Sequence, residues 1–181
     1  MQSLDLSQSY FDLFRQPLNF EVDLPQLHKN QQDLQARFHP DRFVNASDQE
    51  KRLSVQQASW VNEAYQTLAN PVKRARYMLE VSGLDMKDES ETTSDIEFLM
   101  EQIALREQMD EVRDKEDPLE ECDNIITHLK RRSADISNEF SQKFEAGDLD
   151  TAKLVSRKMQ FIQRILEQVM DLQFQLEEEF S

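Results

Sequence analysis

Glycine is nearly missing from this chain: there are two in 181 residues, alongside five prolines, and no Asn-Gly or Asp-Gly pair anywhere. A sheet needs turn residues at short intervals, so this scarcity excludes a strand-rich fold and points to long helices joined by few connections. Cysteine is limited to Cys122, which excludes an internal disulfide and would be a poor iron-sulfur ligand by itself, since such clusters usually need four protein ligands. Its place in an apolar helical pattern marks it as a small packed hydrophobe. No apolar run approaches the roughly 20 residues that span a bilayer. The opening residues, Met1-Gln2-Ser3-Leu4-Asp5-Leu6, show neither the basic start and apolar stretch of a secretory signal nor the arginines of a transit peptide. The expectation is a soluble cytoplasmic protein.

Basic charge is scarce in one half only. Residues 1–78 carry 9 basic and 9 acidic side chains, whereas residues 79–181 carry 12 basic and 27 acidic ones, which accounts for the whole net charge of -15. Nucleic acid and anionic membrane both need cationic surfaces, so neither is an expected partner. The three histidines, His28, His39 and His128, form no His-Glu-x-x-His spacing, and no phosphate loop or oriented nucleophile appears. No metal site, no cofactor and no enzymatic activity of the chain's own is expected.

The pattern that is present is helical throughout. Tyr10-Phe11-Asp12-Leu13-Phe14 is a short apolar cluster ended by Pro17. Asp23-Leu24-Pro25-Gln26 reads as a capping box, followed by Leu24, Leu27, Leu34 and Phe38 at helical spacing, and Pro40 stops that helix. A second helix is predicted from about Asp48 to Leu68, with Ala58, Val61, Tyr65 and Leu68 on one face and Asn70-Pro71 as its stop. A short basic helix then runs to about Leu79. Residues 82–94 hold Gly83 and an acidic, Ser/Thr-rich stretch that reads as a linker.

Beyond it, Ser94-Asp95-Ile96-Glu97 and Asp117-Pro118-Leu119-Glu120 read as capping boxes, and Gly147-Asp148 separates the last two helices. Leu119, Cys122, Ile126, Leu129, Ile136 and Phe140 follow a three-four repeat, as do Ala152, Val155, Met159, Ile162, Leu166, Val169, Leu172 and Leu176. The fold expected is all-α: a helical-hairpin domain over residues 1–81, a linker over 82–94, and an antiparallel three-helix coiled-coil bundle over 95–181.

The first bundle helix has two apolar arcs. At about 100° per residue, Phe98, Leu105, Met109 and Val112 share one arc, while Ile96, Leu99, Met100 and Ile103 share another roughly opposite it. One arc supplies the bundle core. The other has no partner within the bundle and is bordered by Glu107 and Glu111; Phe161, on the third helix, points away from its own core seam. An apolar patch with a charged border suits docking of a partner. The alternatives are packing on the N-terminal domain or a wider core.

His39-Pro40-Asp41 sits in the loop between two helices, followed by Arg42-Phe43 and later by Pro71-Val72-Lys73-Arg74-Ala75-Arg76-Tyr77. That arrangement resembles the J-domain, which triggers ATP hydrolysis in DnaK-class chaperones. With the acidic bundle carrying Phe98-Leu99-Met100-Glu101-Gln102 and Leu105-Arg106-Glu107, nearly the whole chain resembles the HscB family, co-chaperones of iron-sulfur cluster assembly. The resemblance implies that His39, Pro40 and Asp41, with Lys29, Arg37 and Arg42, contact an HscA-type ATPase chaperone. It also implies that Leu99, Met100, Ile103, Ala104, Glu107, Glu111 and Phe161 hold an IscU-type scaffold protein; the chain alone is expected to be a monomer. Gln32 and Asp33 depart from the basic row usual before the His-Pro-Asp, and Ala104 stands where the family can have an acidic docking residue. A J-protein for another client, or a structural coiled-coil adaptor, are the competing readings.

Overall fold

The computed structural model describes residues 4–86 and 95–180, and within these all regular structure is helical. The chain divides into two compact units, Met1–Leu84 and Asp85–Ser181. Most of the expected linker, residues 87–94 with the expected cap Ser94, lies outside the described residues.

The first unit is built from α1 (Tyr10–Leu13), α2 (Leu24–Phe38), α3 (Asp48–Ala69) and α4 (Pro71–Val81). Local chemistry sets each start, because the first N–H groups of a helix lack intrahelical acceptors. Ser9 accepts from the Asp12 N–H at 3.1 Å and Asp23 from the Gln26 N–H at 2.9 Å. Gln26 turns its own amide forward to Asn30, at 2.7 Å, so the expected box at Asp23 is made in one direction. The full reciprocal box is at Ser47 and Glu50, which opens α3. Asn70 ends α3 and caps α4, accepting from both Val72 and Lys73 N–H groups, with Pro71 at the first helical position. Arg15, just past α1, holds a left-handed φ of 54°, a region costly for a residue with a Cβ.

Phe11, Phe14, Leu27, Phe38, Val61, Leu68 and Met78 form the buried centre of this unit. Leu24 is exposed and Leu34 half-buried, contrary to the simple stripe expected for α2. Polar side chains take part of that seam instead: Gln35 donates to Asn62 Oδ1 at 2.6 Å and to the Ala58 carbonyl at 3.1 Å, and His28 Nδ1 lies 3.2 Å from the Tyr65 hydroxyl. These cross-hairpin bonds hold α2 against α3 and so fix the loop at their tip. At the other face Tyr10 stacks on Tyr77 with ring centroids 4.4 Å apart.

The second unit contains α5 (Ile96–Asp110), α6 (Pro118–Glu145) and α7 (Leu149–Glu179), with a short 3₁₀ turn at Val112–Asp114. Asp95 caps α5 by accepting from the Phe98 N–H at 3.0 Å, and Asp117 caps α6 through the Glu120 N–H. Gly147 takes the left-handed φ of 75° that turns α6 into α7, and Asp148 caps the next helix at Thr151. The ion pairs Lys158–Asp95 and Arg113–Glu179 show that α5 and α7 run in the same direction, with α6 antiparallel to both. The core joins Phe98, Leu105 and Val112 to the seams of α6 and α7. Ile125 and Ile165 are buried there in addition to the expected positions, while Leu166 and Leu172 are half-buried. An α-helix drifts against a strict seven-residue repeat, and over a helix as long as α7 the buried stripe moves to neighbouring positions.

Candidate partner-binding sites

The His-Pro-Asp segment is the point where α2 stops. His39 is at once the C-cap of α2 and the N-cap of the 3₁₀ turn Pro40–Phe43, and its Nδ1 accepts from the Asp41 N–H at 3.3 Å. An accepting Nδ1 places the ring proton on Nε2, so the 3.6 Å approach of Nδ1 to Asp41 Oδ2 is not a hydrogen bond. The Asp41 side chain is 86% exposed. Solvent therefore meets an imidazole N–H donor beside a free carboxylate. Buried Phe38 anchors the turn from below. Arg42 reaches back to the Ala36 carbonyl at 3.1 Å, setting its cation over the negative end of α2.

The structure brings His39, Pro40, Asp41, Arg37 and Arg42 to one end of the hairpin. Arg37 lies with its guanidinium carbon 5.3 Å from the Phe38 ring centroid. Lys29 is not among them: ten residues before His39, it stands about 15 Å away along the helix axis. Gln32 and Asp33 are exposed between these cations.

On the bundle, the two arcs of α5 are divided as the spacing predicts except at Met109, expected in the core, and Leu99, expected outside, which are both half-buried. Phe98, Leu105 and Val112 are buried, while Ile96, Met100 and Ile103 are 74%, 63% and 52% exposed. Ala104, Glu107 and Glu111 are exposed beside them. Lys115 pairs with Glu111 at 3.0 Å, so that acid is partly neutralised.

Phe161 is less outward than its spacing implied. Its ring meets Phe98 edge-on, centroids 5.5 Å apart, and it is half-buried. Phe98 is thus the pivot of the patch, with Lys158 Nζ 5.5 Å from its ring centroid. The hydrogen bond from Lys158, together with the Phe98 N–H, holds the Asp95 carboxyl below the usual carboxylate range. Arg132 clamps the far side of α5 with two bonds to Glu101, at 2.7 and 3.0 Å. Sequence reasoning missed both clamps, because each joins residues that only the bundle brings together.

Cys122 is buried in the bundle, and burial pushes its thiol pKa up, as suits a packed hydrophobe. Among the described residues no group of three or more His, Cys, Asp or Glu side chains is placed to hold a metal, and no helix is long and apolar enough to cross a membrane.

Comparison with known proteins settles the lineage. A family model described as the HSCB C-terminal oligomerisation domain matches residues 94–170. The "Co-chaperone protein HscB homolog" of Shewanella loihica is 38% identical over 160 residues, 87% of this chain and 92% of its own length. The chain belongs to the HscB family. A second HscB homologue, from Shewanella halifaxensis, is 35% identical over 89% of this chain and 94% of its own. Among solved structures, the chaperone HscB from Vibrio cholerae superposes with a TM-score of 0.84 at 34% identity, covering 93% of this chain and 99% of that one. Human co-chaperone HscB gives a TM-score of 0.86 at 29% identity, covering 94% of this chain and 84% of that one. As an HscB-family protein the chain is a co-chaperone, and the two exposed sites are read in that light.

Proposed function

We propose that this HscB-family protein delivers an IscU-type scaffold to an HscA-type chaperone in the cytoplasm and stimulates that chaperone's ATPase, in support of iron-sulfur cluster assembly. The observation that carries the reading is the outward stripe of Met100 and Ile103, each more than half exposed on a helix whose opposite face fills the core. An apolar stripe left in water costs free energy that a partner recovers on covering it. Leu99, Phe161, Ala104, Glu107 and Glu111 complete that docking face. The His39-Pro40-Asp41 tip, with Arg37 and Arg42 beside it and Lys29 further along α2, is the surface offered to the chaperone. The chain acts as a monomer that couples two binding events, and the bond-breaking chemistry stays in the chaperone.

Single-turnover ATP hydrolysis by the cognate HscA-type chaperone, with IscU-type scaffold present, tests both contacts. Stimulation is expected to vanish in His39→Gln at any concentration. In Leu99→Ala/Met100→Ala/Phe161→Ala it is expected to fall and to return with excess scaffold. Stimulation by the His39→Gln variant at the wild-type level would remove the role given to the tip.

A further inference from the structure

A second feature adjoins the docking face. Between α5 and α7 lies a notch of about 220 Å³ walled by Met109, Ile165 and Phe161. A cavity of about 150 Å³ is enough for a benzene ring, so the notch has room for one aromatic or branched side chain. Arg106 and Arg164 stand at its mouth, with Gln168 and one acid, Asp110. Both arginines are exposed, and neither makes an ion pair among the described residues.

The notch is continuous with the docking face. Leu99, Ile103, Arg106 and Asp110 are spaced four, three and four residues apart, which puts them in one strip along α5. Phe161, Arg164, Ile165 and Gln168 form the matching strip on α7, which runs in the same direction. The groove between the strips passes from the apolar patch to the arginines over about 10 Å, the rise of the seven residues from Leu99 to Arg106. Phe161 belongs to both. The outer edge of α5 carries Glu107 and Glu111, and the groove edge carries Arg106 and Arg164, so the whole face has opposite charge on its two sides.

We propose that this notch is a further subsite of the scaffold-binding face and takes an aromatic or branched apolar side chain of the scaffold that has a carboxylate beside it. The inference rests on the function proposed above. Met109, Ile165 and Phe161 offer the notch's apolar surface to a side chain, and two unpaired cations against one acid among its other lining residues favour an anionic neighbour. Opposed charge on the two edges of the face sets the orientation of the scaffold, with its cations over Glu107 and Glu111 and its carboxylate over the groove.

Binding of the cognate IscU-type scaffold to the full chain, by titration calorimetry, decides the matter with two variants. Arg106→Glu/Arg164→Glu reverses the charge at the mouth, and Gln168→Trp fills the notch without changing charge; circular dichroism confirms that each is folded. Each is expected to weaken scaffold binding roughly tenfold or more. The loss in the charge-reversed variant is expected to shrink near 1 M salt, where screening acts over about 3 Å, and the loss in the tryptophan variant to persist. Wild-type affinity in either variant overturns the subsite. If the wild-type chain itself fails to bind the scaffold, the proposed function falls and the subsite falls with it.

Discussion

The two units of this protein solve the same problem, helices around an apolar centre, with different materials. The first holds the chain's one tryptophan and all three tyrosines, balances its charges, and joins its helices through polar bonds such as Gln35 to Asn62 as well as through apolar contact. The second has neither tryptophan nor tyrosine, carries the acid surplus, and rests on regular aliphatic seams between two helices of 28 and 31 residues. Long helices with a repeating seam give a rigid rod and leave a whole face of α5 free. A short hairpin tied by specific polar bonds gives a fixed tip. The long-helix bundle suits broad apolar docking and the hairpin a small, oriented contact.

The largest effect that tests this contrast is expected at Phe98. Phe98→Ala removes the residue on which Phe161 and Lys158 both rest, and is expected to destabilise the second unit by about 3–5 kcal/mol. Thermal loss of helical circular dichroism measures it, while Trp60 fluorescence reports separately on the first unit. An equal shift in the Trp60 transition would mean that the two units unfold as one cooperative body and would break the comparison.

Next in size is Gln57, fully buried on α3 with no hydrogen-bond partner for either end of its carboxamide. Since an unsatisfied buried polar group costs about 1–3 kcal/mol, Gln57→Leu is expected to stabilise the first unit by about that amount in denaturant titration followed at Trp60. Destabilisation would show that the amide is satisfied in solution. Arg15→Gly relieves the left-handed strain after α1 and is expected to add about 1 kcal/mol by the same measurement. No gain, or a loss, would mean that the Arg15 side chain offsets the strain.

The smallest effect is alkaline and confined to the tyrosine-bearing unit. Burial, followed by the charge of Glu63, pushes the Tyr10 pKa up to about 12 from an ordinary value of 10.0. A pKa raised on folding means that the folded state binds more protons above pH 10, so Tyr10 stabilises fully below that pH and its contribution is lost as pH rises toward 12. Tyr10 is half-buried, and solvent screening keeps the effect small. Trp60-monitored stability between those two pH values is expected to fall less steeply in Tyr10→Phe; identical slopes would place the alkaline sensitivity elsewhere.

Much of this was legible in residues alone. Pro40 after Phe38-His39 ends α2, Asn70-Pro71 ends α3, and Gly147-Asp148 turns α6 into α7, because each stop is a local matter of backbone and cap. The division of α5 into a core arc and an outward arc was also readable, since helix geometry alone places Phe98 opposite Met100. The reading of α7 as a strict seam failed at Ile165 against Leu166 and Leu172, and Phe161 proved half-buried against Phe98.

The sequence by itself determined the helices, their ends, the position of the His-Pro-Asp tip and the surplus apolar face of α5. Those follow from interactions within about one turn of a residue, where neighbours in the chain are neighbours in space. Only the tertiary structure decided that Lys158 meets Asp95, that Arg132 clamps Glu101, and that Arg106 and Arg164 face a common notch. These pairs are 31 to 63 residues apart in the chain. Their meeting depends on the direction, register and rotation of packed helices, which are set jointly by all the side chains of the core and by no local stretch.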